Sequence, residues 1–116
     1  MSQMNKEILE KANEAISRGD FEGFLVHCTD DTVWHFVGDR TLRGKDEVRR
    51  WMAEAYEEPP RFNVRQMIAE GGSVAALGEI TLKDASGQEA DFSYCDVWRF
   101  EDGRMAELNA FVIAPD

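Results

Sequence analysis

Cysteine, histidine and positive charge are all scarce in this chain of 116 residues, and each scarcity argues against a class of protein. Its two cysteines, Cys28 and Cys95, are too few for a disulfide framework and are not in a metal-type spacing. Both are expected as reduced, buried small hydrophobes. The two histidines, His27 and His35, lie in unrelated segments among scattered acids, so no metal is expected. No apolar run approaches the roughly 20 residues of a membrane span, and residues 1–7 lack the apolar core of a signal peptide. A cytoplasmic protein with no membrane partner is the expectation. Lys and Arg number 13 against 23 Asp and Glu, for a formal net charge of -10. Such a field repels polyanions, which argues against nucleic acid as a partner. No Gly-rich phosphate loop and no nucleophile elbow occurs, and no cofactor is expected.

What is present is apolar and aromatic residues in globular proportion, 43% and 10%, in a chain of single-domain length, residues 1–116. Met4, Ile8, Leu9, Ala12, Ala15 and Ile16 recur at helical spacing in Ser2 to Arg18. Gly19 fits a helix stop, and Asp20 can cap a short second helix through Phe21, Phe24 and Leu25. A strand, Thr32 to Val37, then turns at Gly38-Asp39 into Arg40 to Arg43. Gly44 to Glu58 is again helical, with Val48, Trp51, Met52 and Ala55 on one face, and Pro59-Pro60 ends it. Strand-like runs follow at Arg61 to Glu70, Ser73 to Lys83, Glu89 to Glu101 and Met105 to Ile113. Gly71-Gly72, Asp84-Ala85-Ser86-Gly87 and Asp102-Gly103 are the turns between them. There is no β-α-β alternation, so the fold class is α+β, with helices on one face of a curved, mostly antiparallel sheet.

Two strands carry an ionisable group among bulky apolar residues: His35 in Thr32 to Gly38, and Asp96 in Tyr94 to Phe100. Burying such a group is costly unless it is paired or neutralised. In the later strand Phe92, Tyr94, Asp96, Trp98 and Phe100 share a face, so Asp96 interrupts an aromatic row. His35 shares its face with Val33 and Val37 unless a bulge near Phe36 intervenes. If His35 and Asp96 face one interior, the chain encloses an apolar cavity with a proton donor and an acceptor in it. Trp34, Trp51, Met52, Tyr94 and Trp98 are suited to lining that cavity, though each taken alone reads more readily as core. Glu79, in the row Ala75, Leu77, Glu79 and Thr81, fits either a ligand contact or a solvated face.

The element order resembles the nuclear-transport-factor-2-like superfamily, and within it the SnoaL-like polyketide cyclases and ketosteroid isomerases. The likeness rests also on Arg18-Gly19-Asp20, Thr29-Asp30-Asp31-Thr32-Val33, Gly44-Lys45-Asp46-Glu47-Val48 and Val97-Trp98-Arg99-Phe100-Glu101-Asp102-Gly103-Arg104. The resemblance implies a cone of three N-terminal helices on a strongly bent sheet, with a mouth that admits a small hydrophobic molecule. It also implies a homodimer through the open sheet face, to which Phe111 would contribute. Carried over residue by residue, it places His35 at the general base and Asp96 at a protonated carboxyl donating to an oxyanion, with Glu79 on the cavity face. Ala12 stands where the isomerases have a tyrosine, so half of their oxyanion hole is absent. The expected function is binding of a small hydrophobic ligand, with cofactor-independent proton transfer next to a carbonyl by His35 and Asp96, of isomerase or polyketide-cyclase type. A non-catalytic ligand carrier or sensor, or a dimeric interaction domain, is the alternative.

Overall fold

The computed structural model describes residues 2–83 and 86–115. Its helices are α1 (Ser2–Ser17), α2 (Phe21–Leu25) and α3 (Lys45–Ala55). Its strands are β1 (Cys28–Phe36), β2 (Arg40–Arg43), β3 (Arg61–Glu70), β4 (Ser73–Lys83), β5 (Glu89–Glu101) and β6 (Arg104–Ile113). The helix stripes explain their packing. Leu9, Ala12, Ala15 and Ile16 of α1 are buried, as are Val48 and Met52 of α3. The Asp20 carboxylate accepts from the Gly23 N–H at 2.9 Å, satisfying a free donor at the start of α2.

One six-stranded sheet has the order β2-β1-β6-β5-β4-β3, antiparallel throughout except for the parallel pair β1 and β6. Its register slips between Cys28 and Val33, between Val64 and Gln66, and between Arg99 and Phe100. Such bulges bend and twist a sheet, and this one curves around the helices on its inner face. The β5 to β6 turn holds Asp102 at φ 49° and Gly103 at φ 79°, the left-handed pair that a tight hairpin requires. Of the Asp84 to Gly87 turn expected from the sequence, Asp84 and Ala85 lie outside the described residues.

The first strand is longer than its sequence pattern indicates, beginning at Cys28 rather than Thr32. Cys28 pairs with Met105, whose N–H donates to the His27 carbonyl at 2.8 Å. That pairing spans most of the chain, so no local pattern records it.

Gly78 marks the tightest backbone approach in the sheet. A Cβ there would overlap the Asn63 carbonyl and stand 3.1 Å from the Arg65 nitrogen, at the β3 bulge. Gly78→Ala is therefore expected to cost about 1–3 kcal/mol, read as a lower melting temperature. An unchanged melt would mean that β3 does not run this close to β4.

Candidate functional site

Between the helices and the inner face of the sheet lies a cavity of about 760 Å³. That is within the range of small-molecule sites. The strand register arranges its sheet wall in rows. Trp34, Leu108 and Trp98 lie side by side across β1, β6 and β5. The next inward row runs Phe36, Ala110, Asp96, Ala76, and the one beyond holds Val112, Tyr94 and Gly78. Asp96 thus has alanine on both flanks, and Tyr94 has glycine on one. These small residues leave the space that larger side chains would fill.

The opposite wall comes from the helices, with Ile16 from α1, Phe24 from α2, and Trp51 and Met52 from α3. Aromatic rings join the walls edge to face. Trp34 lies 5.4 Å from Trp98, 5.6 Å from Phe24 and 6.2 Å from Trp51, at interplanar angles of 70–86°. These are the favoured geometries of aromatic pairs.

Asp96 interrupts the apolar sheet wall of the cavity. Its side chain lies on the wall, half-buried, with no hydrogen bond or ion pair to any described residue. Burial alone pushes its carboxyl up from 3.8 to about 7. The two tyrosines of the cavity feel the same environment. Burial, and then the Asp96 charge, raise Tyr94 to about 12 and move Tyr56 upward as well, so both hydroxyls stay protonated donors. The Tyr94 hydroxyl and Trp34 Nε1 are buried in the wall without a hydrogen-bond partner. Sealed donors of this kind cost about 1–3 kcal/mol each unless an acceptor reaches them.

The structure brings together Trp34, Trp51, Met52, Tyr94, Asp96 and Trp98, all on the cavity wall. It does not bring His35 there. Trp34 and Phe36 face inward, and the register of β1 runs unbroken from Val33 to Phe36 against both neighbours, so His35 must face out. The bulge that would have turned it inward lies earlier, between Cys28 and Val33. On the outer face His35 Nε2 is 3.2 Å from Glu107 Oε2, and Nδ1 is 3.2 Å from Thr41 Oγ1. Arg99 donates to the other Glu107 oxygen at 3.1 Å. Arg99 first, and His35 after it, hold the Glu107 carboxyl below its ordinary range.

Glu79 is likewise outside the cavity. Gly78 and Ile80 of β4 are buried on the inner side, and alternation turns Glu79 away. There it accepts from Asn63 Nδ2 at 3.1 Å and from Arg65 Nε at 2.7 Å, which hold its carboxyl down, Arg65 foremost.

Sequence reasoning missed Tyr56. It is the C-cap of α3, its N–H bonds the Met52 carbonyl at 2.9 Å, and its ring centroid lies 5.1 Å from that of Trp51. The signal was there: Val48, Met52 and Tyr56 recur every four residues and continue the apolar stripe. Ala12, which the sequence resemblance set against a tyrosine of the isomerases, is fully buried and not on the cavity wall.

At the mouth, the Lys83 ammonium donates to Glu58 at 2.9 Å and Arg61 to Glu89 at 2.9 Å, while Glu54 and Glu57 make no ion pair among the described residues. Among the described residues no group of three or more His, Cys, Asp or Glu could hold a metal ion. No described helix is long and apolar enough to cross a membrane.

A family profile for the SnoaL-like domain matches residues 9–108 of this chain. The chain belongs to the SnoaL-like domain family. Three solved structures show how widely its fold recurs. A protein of unknown function from Burkholderia pseudomallei K96243, described as NTF2-like, is 24% identical, with a TM-score of 0.84 over 92% of this chain and 88% of that one. An LEH-like epoxide hydrolase of M. tuberculosis is 19% identical, with a TM-score of 0.84 over 96% of this chain and 84% of that one. A candidate ketosteroid isomerase from Kribbella flavida DSM 17836 is 16% identical, with a TM-score of 0.84 over 99% of this chain and 82% of that one. These likenesses establish an NTF2-like fold for this SnoaL-like domain. No curated protein sequence matches it.

Proposed function

We propose that this SnoaL-like domain binds a hydrophobic, ring-bearing carbonyl compound in its cavity and moves a proton next to the carbonyl, in the manner of an isomerase or a polyketide cyclase. The observation that supports this most is Asp96, an unpartnered carboxyl on an aromatic wall with a pKa of about 7. A group poised near the working pH can take a proton and give it back. In this reading the Asp96 carboxylate removes a proton from the carbon beside the carbonyl, and the electron pair moves onto the carbonyl oxygen. The Tyr56 hydroxyl, kept neutral by burial, donates a hydrogen bond to that enolate oxygen. Asp96 then returns the proton to a different carbon, or the enolate carbon attacks a second carbonyl to close a ring and the alkoxide so formed takes the proton from Asp96. Two fold neighbours, a candidate isomerase and an epoxide hydrolase, support the cavity as a place for chemistry.

A ligand carrier is the second reading. With His35 outside the cavity, Asp96 must serve as base and acid in turn, whereas a carrier needs neither role.

The test is a screen of activated ring ketones against wild type, Asp96→Asn and His35→Ala. Asp96→Asn is expected to lower turnover by about 10²–10⁴-fold, and His35→Ala to leave it unchanged. The wild-type kcat/KM is expected to rise with pH through about 7, as Asp96 ionises. Turnover indifferent to Asp96 overturns the mechanism, and ketones that bind without reacting make the protein a carrier. The outer sheet face, where Phe111 is 43% exposed, suits the homodimer suggested by the sequence, which sedimentation would read.

A further inference from the structure

The walls around Asp96 suit a ligand class outside the carbonyl compounds. Three half-buried rings, Phe36, Trp51 and Tyr56, line the cavity together. Trp51 is 4.8 Å from Phe36 at 35° and 5.1 Å from Tyr56 at 73°, so the three rings form one contiguous aromatic cluster on the cavity wall. The carboxyl of Asp96 shares that cavity and meets no cation, because the two basic residues at the mouth, Arg61 and Lys83, are taken up by Glu89 and Glu58. Among the described residues Glu54 and Glu57 form no ion pair there, Glu57 acting on Lys83 only as a more distant charge, and the whole chain carries a net charge of -10.

We propose that the cavity also takes lipophilic ammonium ions, with the Asp96 carboxylate as counter-ion and the faces of Phe36, Trp51 and Tyr56 as the surrounding wall. Each observation favours a cation over its alternatives. An anion would meet Asp96 inside and Glu54 and Glu57 outside. A neutral hydrocarbon would fill the space and leave the carboxyl unpaired. An ammonium carried on an apolar group satisfies the carboxylate, which attracts it strongly where water is displaced. It also gains from ring faces, whose quadrupoles draw a cation most when both are desolvated. The chain's negative field brings such a ligand to the mouth. The inference rests on the reading of the cavity as a ligand site, and it does not depend on any carbonyl chemistry there.

The probes that test it are benzyltrimethylammonium and neopentylbenzene, which have the same shape and differ in charge. Both are titrated into the protein at pH 8, with tryptophan fluorescence as the readout. The ammonium is expected to bind wild type at least about tenfold more tightly than the hydrocarbon. That preference is expected to vanish in Asp96→Asn, with neopentylbenzene still bound, which also shows that the variant keeps its cavity. Trp51→Leu, which leaves the carboxylate in place, should reduce the preference by roughly threefold or more. Equal binding of the two probes by wild type, or a preference that survives Asp96→Asn, overturns the inference while the ketone screen still stands. Binding of neither probe overturns both this inference and the ligand site itself.

Discussion

Asp96→Asn is expected to make the protein more stable at pH 8 while removing the acid–base group of the proposed reaction. The carboxyl has a folded-state pKa of about 7 against an ordinary 3.8, and burial is the cause. The folded state therefore holds this proton more tightly than the unfolded chain does. Below pH 4 the group is protonated in both states and costs nothing. Between about 4 and 7 the unfolded chain loses the proton first, and stability falls as pH rises. Above pH 7 the folded protein carries the full cost of a desolvated, unpaired carboxylate. The shift corresponds to at most about 4 kcal/mol, and the half-buried position reduces this to roughly 2 kcal/mol. Asparagine carries no charge to desolvate. Its melting temperature should exceed that of wild type by roughly 8 °C at pH 8, and by almost nothing at pH 4. Thermal melts of the two proteins across this range read the effect directly. A variant less stable than wild type at pH 8 would mean that the carboxylate has a partner, and the cavity would then need a different description. Destabilising groups of this kind persist in proteins where function uses them.

Trp98→Ala should have the largest effect on the fold itself. Trp98 is 3% exposed, and its ring lies 5.4 Å from Trp34 and 5.9 Å from Phe24. It therefore ties β5 to β1 and both to α2. Truncation removes the transfer energy of an indole, opens a cavity, and breaks two aromatic contacts. Together these should cost about 3–5 kcal/mol. For a domain whose total stability is of order 5–15 kcal/mol, that lowers the melting temperature by roughly 15 °C. Trp98→Phe, which keeps a ring in the cluster, should lose much less. If alanine costs under about 1 kcal/mol, the rings do not pack as described.

Local pattern carried much of this fold. The spans of β3, β4 and β5 follow directly from alternating and β-branched runs between glycine-rich turns, whereas α3 ends at Ala55, capped by Tyr56, short of the Glu58 end that the Pro59-Pro60 pair indicates. The row Tyr94, Asp96 and Trp98 was legible because alternation in an unbroken strand has no other outcome. The β1 strand shows the limit. Alternation states that Trp34 and His35 face opposite ways, but it does not state which way is in. The choice follows from which side packs better against the helices, where Trp34 meets Phe24, Trp51 and Trp98. Glu79 is the same case on β4, held outside by Arg65 once the β3 bulge has brought that guanidinium alongside.

The sequence by itself determined the element order, the helix starts, the hairpins and the identity of the buried acid, because each depends on residues within one or two turns of one another. Only the tertiary structure decided the parallel pairing of β1 with β6, the inward face of β1, and the arrival of Tyr56 near Asp96. Each of these depends on residues far apart in the chain coming together: Cys28 with Met105, Trp34 with Trp98, and Tyr56 with Asp96 on one cavity wall. Contacts at that separation are selected by how well whole surfaces fill one another, which no short stretch of sequence records.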